Sequence, residues 1–304
     1  MRSFHPLRAL PFDLSPPSLV ERVVAMQSLT FQIAMITGPV LGGFLYVVWE
    51  ALPYLVASLL LALGIAVLSI VPDVKVEKLV ASVGVRGTIS DAREGLRFVR
   101  RTPVLFGAIS LDLFAVLFGG AVALLPAIAT ERLGVGAIGF GWLRASVGMG
   151  AASVSFALTA KPVSRHVGTV LMAAVAVFGL ATVVLGLTTS YAVAFIALFV
   201  LSGSDSISVF IRSTVVPMAT PPNMRGRVLA TENVFIGASN ELGAFVSGVA
   251  ASLLGLVGAV VLGGTATLAV VGLWWVFFPA LRSIDRFSEV LPVAPAPDVL
   301  DPKA

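Results

Sequence analysis

The sequence has no cysteine and only two histidines, His5 and His166, among its 304 residues. Without cysteine there is no disulfide, thiolate zinc site or iron–sulfur cluster, and two distant histidines do not make a metal centre. Charge is scarce as well. Only 12% of residues are Asp, Glu, Lys or Arg, against about a quarter in a soluble domain. The apolar share is 58% and the mean hydropathy is +1.01. A soluble core of this composition would have almost nothing polar to cover it. The chain reads as a membrane protein, and no cofactor is expected.

Stretches without charge make this quantitative. Arg22 and Glu50 enclose 27 such residues, Glu50 and Asp73 enclose 22, and Asp112 and Glu131 enclose 18. Arg165 to Asp205 encloses 39 and Glu241 to Arg282 encloses 40, so each of these holds two spans of about 20 residues. Gly186-Leu187-Thr188-Thr189-Ser190 divides the first and Gly255-Leu256-Val257-Gly258 the second. The expected fold is an all-α polytopic membrane protein of about eight helices, at 21–48, 51–71, 103–130, 138–160, 167–187, 191–217, 228–254 and 258–281. A barrel would show alternating segments of about ten residues, and these runs are too uniformly apolar. Residues 1–20 are broken by Pro6, Pro11, Pro16 and Pro17 and carry no apolar leader core.

Lys and Arg set the orientation. Of 20 basic residues, 17 fall before or at the very start of the first span, in loop 72–102, in the next two loops on that side, or in the tail. That places both termini and loop 72–102 in the cytoplasm and the chain in the inner (plasma) membrane. The net charge of +4 follows from topology, and no nucleic-acid partner is expected.

Residues 16–23 and 221–228 share Pro16/Pro221, Pro17/Pro222, Arg22/Arg227 and Val23/Val228 at one offset. Ala25/Ala230, Gly38/Gly243 and Gly43/Gly248 extend the match into the helices. Each copy is a proline-broken loop, a glycine-bearing span and one more span, the mark of a parallel two-half transporter. Four spans precede Pro221 in the second half and none precede Pro16. The reading is a chain shortened at its N-terminus, with four helices missing from a twelve-helix parent. Its expected parts are a cytoplasmic segment 1–20, two helices in 21–71, a central loop 72–102 with an amphipathic helix, a six-helix half 103–281 and a disordered cytoplasmic tail 282–304.

Several segments resemble the major facilitator superfamily, in its multidrug, macrolide and enterobactin-type exporter branch. They are Arg2-Ser3-Phe4-His5-Pro6 with Leu10-Pro11, Gly38-Pro39-Val40-Leu41-Gly42-Gly43, and Glu94-Gly95-Leu96-Arg97-Phe98 before Pro103. Arg212-Ser213-Thr214, Thr220-Pro221, Arg225-Gly226-Arg227-Val228, Asn240-Glu241-Leu242-Gly243 and Pro279-Ala280-Leu281-Arg282 continue the likeness in family order. The resemblance implies that the spans correspond to helices five to twelve. It further implies proton-coupled efflux of a hydrophobic or amphipathic small molecule by alternating access. The partners would be that molecule, protons and membrane lipid. A non-transporting remnant of such a carrier is the alternative. Lys161-Pro162-Val163-Ser164-Arg165-His166-Val167-Gly168 resembles the family's basic cytoplasmic loop motif but lacks its aspartate, which implies weaker gating. Ala34 stands at the family motif's first glycine, and Pro217 at a position where a polar residue is common.

Chemistry is sought where charge enters apolar helices, because a charge there is costly. Asp112, Arg144, Asp205, Arg212, Glu232 and Glu241 all lie within spans. The resemblance assigns those spans to helices facing the central cavity. Asp112 or Asp205 is a candidate proton carrier, and a permanently paired structural carboxylate is the alternative. Arg144 and Glu241, at comparable heights, are a candidate ion pair, and Asn240 is a further cavity candidate. Arg212 and Glu232 lie near the cytoplasmic ends and read as snorkelling to the interface. Gly38, Pro39, Gly42, Gly43 and Gly243 are helix-packing or gating candidates, since proline bends a helix and glycine admits a close neighbour. Arg165, Gly168, Arg225 and Arg227 form the cytoplasmic loop motifs.

Gly134-Val135-Gly136-Ala137-Ile138-Gly139 spells a dinucleotide fingerprint, but no strand precedes it and no acid follows at the needed distance. Residues 90–101 predict an amphipathic helix on the inner leaflet, with Leu96, Phe98 and Val99 apolar beside four arginines. Trp142, Trp274 and Trp275 read as lipid or packing residues. No nucleophile–base constellation is visible, so enzymatic activity is not expected.

Overall fold

The computed structural model describes residues 20–70, 85–221 and 224–290. The leading segment before 20, the loop up to 84 and the tail beyond 290 lie outside the described residues. Helices account for nearly everything described: α1 (Val20–Val48), α2 (Leu52–Ile70), α3 (Val85–Arg101), α4 (Pro103–Phe118) and α5 (Ala137–Ala160). After them come α6 (Val167–Leu187), α7 (Tyr191–Ala219), α8 (Arg225–Phe277) and the short α9 (Pro279–Arg282). Four stretches among the described residues are long and apolar enough to cross a membrane: Pro103–Arg132, Val167–Leu187, Tyr191–Ala219 and Arg225–Phe277. The chain is an all-α polytopic membrane protein.

It divides into two compact units. Of the described residues, the first comprises 20–70 and 137–145. Its α1 and α2 are joined by a tight turn in which the Leu52 N–H donates to the Trp49 carbonyl at 2.9 Å. Glycine lets the backbones of α1 and α5 meet in this unit. A Cβ on Gly43 would lie 2.5 Å from the Ala137 carbonyl oxygen, and one on Gly141 would lie 2.5 Å from that of Pro39. Gly38 and Gly42 face open space. Leu59, Leu60 and Leu61 on α2 are largely exposed, as expected of residues that meet hydrocarbon rather than water.

Of the described residues, the second unit comprises 85–136, 146–221 and 224–290. Its core gathers Leu105 and Leu111 of α4, Leu171 of α6, Ile211 of α7, Val228 of α8 and Leu281 of α9. α8 is 53 residues long but is not one rod. Gly255 takes φ 72° and ψ 166°, a backbone state that costs little only without a Cβ. Gly243 and Gly263 both pack on the backbone at residues 116–118. In a straight helix they would be about 30 Å apart. The chain therefore reverses at Gly255 into two arms, as the glycine break in the sequence suggested. The other expected break holds too, α6 ending at Leu187 and α7 beginning at Tyr191.

Two expectations need correction. The single helix foreseen over 103–130 stops at Phe118 and continues as a 3-10 turn (Gly120–Leu124), a short helical segment (Leu125–Ala127) and a π turn (Ile128–Arg132). Two factors act here: Gly119-Gly120 weakens the helix, and Pro126 lacks the N–H it would donate back. The second concerns α3, whose apolar side does not lie on the leaflet. Phe98 and Val99 are buried in the protein core, and Gly95 sits against Arg227 and Thr231 of α8. Glu94 seals that contact by pairing with Arg227 at 2.9 Å.

Candidate functional site: a buried charge cluster

On α7, Ser204, Ser208 and Arg212 recur every four residues, with Asp205 beside them. A helix places such residues on one face, stacked turn upon turn. Asp112 comes from α4 and Glu232 from α8, one turn beyond the buried Val228. All belong to the second unit.

The cluster is built around Arg212. Its Nη2 donates to Asp112 Oδ1 at 2.8 Å, and its Nη1 lies 3.5 Å from Glu232 Oε1. Arg212, Asp112 and Glu232 are 4%, 5% and 7% exposed, so one guanidinium ties three helices together away from solvent. This overturns the snorkelling expectation for Arg212 and Glu232. Arg212 does not run along its helix to an interface; it turns sideways, because two carboxylates satisfy it at that depth. Burying a charge is tolerable only where partners replace its water.

Asp112 and Asp205 line one cavity together with Ser204 and Ser208, against an apolar wall that includes Val175 and Phe178. The cavity measures about 10 Å³, the space of a single water. Asp205 is within electrostatic reach of both Asp112 and Arg212. Ser204 donates to the Leu201 carbonyl at 2.8 Å. Ser208 Oγ and Arg212 Nε are buried with no partner among the described residues.

The other sequence candidates lie elsewhere. Arg144 is exposed on α5 within the first unit, while Glu241 is exposed on α8 in the second. Asn240 is exposed and donates to the Ile236 carbonyl one turn back. Gly243 abuts the backbone of α4, where its Cβ would lie 2.7 Å from the Val116 carbonyl oxygen. Arg225 Nε donates to the Pro217 carbonyl at 3.1 Å, and Arg227 holds Glu94. Trp274 is a packing residue with a polar handle, donating to the Gly107 carbonyl at 3.1 Å.

At the end of the bundle where α5 passes to α6, the loop motif without an aspartate of its own meets Asp285. The His166 N–H donates to Asp285 Oδ1 at 3.0 Å, and the Arg165 Nε lies 3.6 Å from Oδ2. The Val167 and Gly168 N–H groups donate to the carbonyls of Asp285 and Ile284 at 3.2 and 3.0 Å. The hydrogen bond from His166, with Arg165, His166 and Arg286 close by, holds the Asp285 carboxyl below its ordinary 3.8. A carboxyl with a folded pKa below its unfolded value adds stability at higher pH and loses it as pH falls through the folded value. Asp285→Asn is therefore expected to be less stable than the parent at neutral pH. The two should converge on acidification below about pH 4 in thermal unfolding scans.

No curated protein and no solved structure matches the chain. Residues 9–299, nearly the whole length, match the transmembrane secretion effector family. The helices, the buried charges and this match agree: the chain belongs to the transmembrane secretion effector family of major facilitator transporters (MFS_3).

Proposed function

We propose that the protein exports a hydrophobic or amphipathic small molecule, of drug or siderophore type, in exchange for protons by alternating access. Its place would be the inner (plasma) membrane, with both termini in the cytoplasm, as the excess of Lys and Arg on one side suggests. The observation that carries the reading is the cluster of Asp112, Asp205 and Glu232 around the lone Arg212 inside apolar helices. Three acids facing one base in low dielectric exchange protons more readily than they all stay ionised. A structural ion pair needs one acid, so Asp205 is surplus to anchoring and is the stronger candidate for the moving proton. Asp112, held at 2.8 Å, combines anchoring with coupling.

The test is efflux of a hydrophobic fluorescent dye from proteoliposomes, driven by an imposed pH gradient. Asp205→Asn is expected to cut gradient-driven efflux at least about 100-fold, the scale of losing a proton-transfer group, while dye binding persists. Asp205→Asn running at the parental rate would overturn proton carriage by this residue. Arg144 and Glu241 are proposed as a second, gating pair. Exchanging them should restore more transport than either single change leaves.

A further inference from the structure

The cavity beside Arg212 has more negative groups around it than its protein partners neutralise. Asp112 and Glu232 share Arg212, and Asp205 has no ion pair with any cation among the described residues. Ionised together, they leave an excess of two negative charges among apolar helices, which the membrane interior strongly disfavours. Protons or a bound cation relieve that excess. The space decides what it is: about 10 Å³ admits one water-sized body, whereas a drug-sized ligand needs at least about 300 Å³. The polar groups that line it, Asp112, Asp205, Ser204 and Ser208, offer oxygen alone, the donor set of hard cations. Ser208 supplies an independent sign. Its hydroxyl is 2% exposed, lines this cavity and has no hydrogen-bond partner among the described residues, so the partner it requires belongs inside. Among the described residues no group of three Asp, Glu, His or Cys side chains could hold a metal ion, so two carboxylates and two hydroxyls are what this cavity offers.

We propose that this cavity binds one sodium ion, held by the carboxylates of Asp112 and Asp205 and the hydroxyl oxygens of Ser204 and Ser208, in competition with protons. The proposal rests on the reading of these carboxylates as the coupling groups and names a second ion for them. Sodium enters when they are ionised and leaves as they protonate. The site then alternates between a bound sodium ion and protonated carboxyls, without moving Arg212.

The test measures thermal unfolding of the full chain in lipid nanodiscs, with sodium, potassium or choline chloride at equal ionic strength. At about pH 8, about 100 mM sodium is expected to raise Tm by roughly 3 °C over choline and over potassium. The rise should shrink as the pH is lowered, because protons compete with sodium for the same carboxylates. Asp205→Asn and Ser208→Ala should each abolish it. Ser208→Ala removes one hydroxyl and keeps the charges, so it remains informative if Asp205→Asn does not fold. Equal Tm in sodium and choline at alkaline pH overturns the proposal and leaves a proton-only site. An undiminished sodium shift in both variants overturns its location. Neither outcome touches efflux, which the dye assay reads separately. Loss of efflux dependence on Asp205 with the sodium shift intact would instead overturn the coupling role alone.

Discussion

Replacing Arg212 by methionine is expected to remove most of the correctly folded protein. Arg212 touches Asp112 on α4 at 2.8 Å and Glu232 on α8 at 3.5 Å, itself sitting on α7. Methionine fills similar volume but leaves two buried carboxylates facing each other without a cation. Removing one partner of a buried charge set costs about 3–5 kcal/mol, a large part of any protein's margin. The expected result is a sharp fall in monodisperse protein on size exclusion in detergent, with a lower Tm for what remains. Arg212→Lys should fall in between, because an ammonium cannot reach both acids with the planar fork of a guanidinium. The triple change Arg212→Met, Asp112→Asn, Glu232→Gln removes all three charges together. It should recover folding, since a buried ion set replaced by neutral groups is often no less stable, yet transport should not return. Arg212→Met matching the parent in yield and Tm would show that the cluster does not hold the three helices.

The second large effect is expected at Gly168. A Cβ there would run into the Leu281 carbonyl oxygen and lie 2.9 Å from its carbonyl carbon. These are backbone atoms, so no side-chain rotation relieves the clash. Gly168→Ala must push the start of α6 away from α9, straining the two hydrogen bonds that Val167 and Gly168 make to Asp285 and Ile284. Overpacking of this kind costs about 3 kcal/mol, and two backbone hydrogen bonds add about 1 kcal/mol each if broken. Gly237→Ala is the control. Nothing lies within 4 Å of a Cβ there, and alanine suits a helix better than glycine, so no loss of Tm is expected. Equal effects of the two changes would sink the close-contact account of Gly168.

Much of the fold could be read from the sequence because hydrocarbon imposes a length. Apolar runs of about 20 residues have few alternatives to a helix, and breaks at Gly186–Ser190 and Gly255 carry their own chemistry. The interruption after Phe118 was harder to see. Its residues remain apolar through Ile128, and the signal was only the Gly119-Gly120 pair and Pro126, which composition averages away. The site was half legible. Asp112 and Asp205 stand out as acids in grease, and both line the cavity. Arg212 and Glu232 were misread because depth along the helix was weighed and direction around it was not. Asp205, Ser208 and Arg212 are spaced three and four apart, which puts all three on one face of α7. That spacing was available in the sequence. The partner of the loop motif was not, since Asp285 lies 119 residues from His166 and only folding brings them together.

The single-residue turn at Gly255 has a mechanical result. The two arms of α8 meet at this one residue, and both pack against α4, through Gly243 and Gly263. The first arm bears Glu232, which grips Arg212, and the second bears Trp274, bonded to the Gly107 carbonyl on α4. Both limbs thus converge on α4, the helix that also presents Asp112.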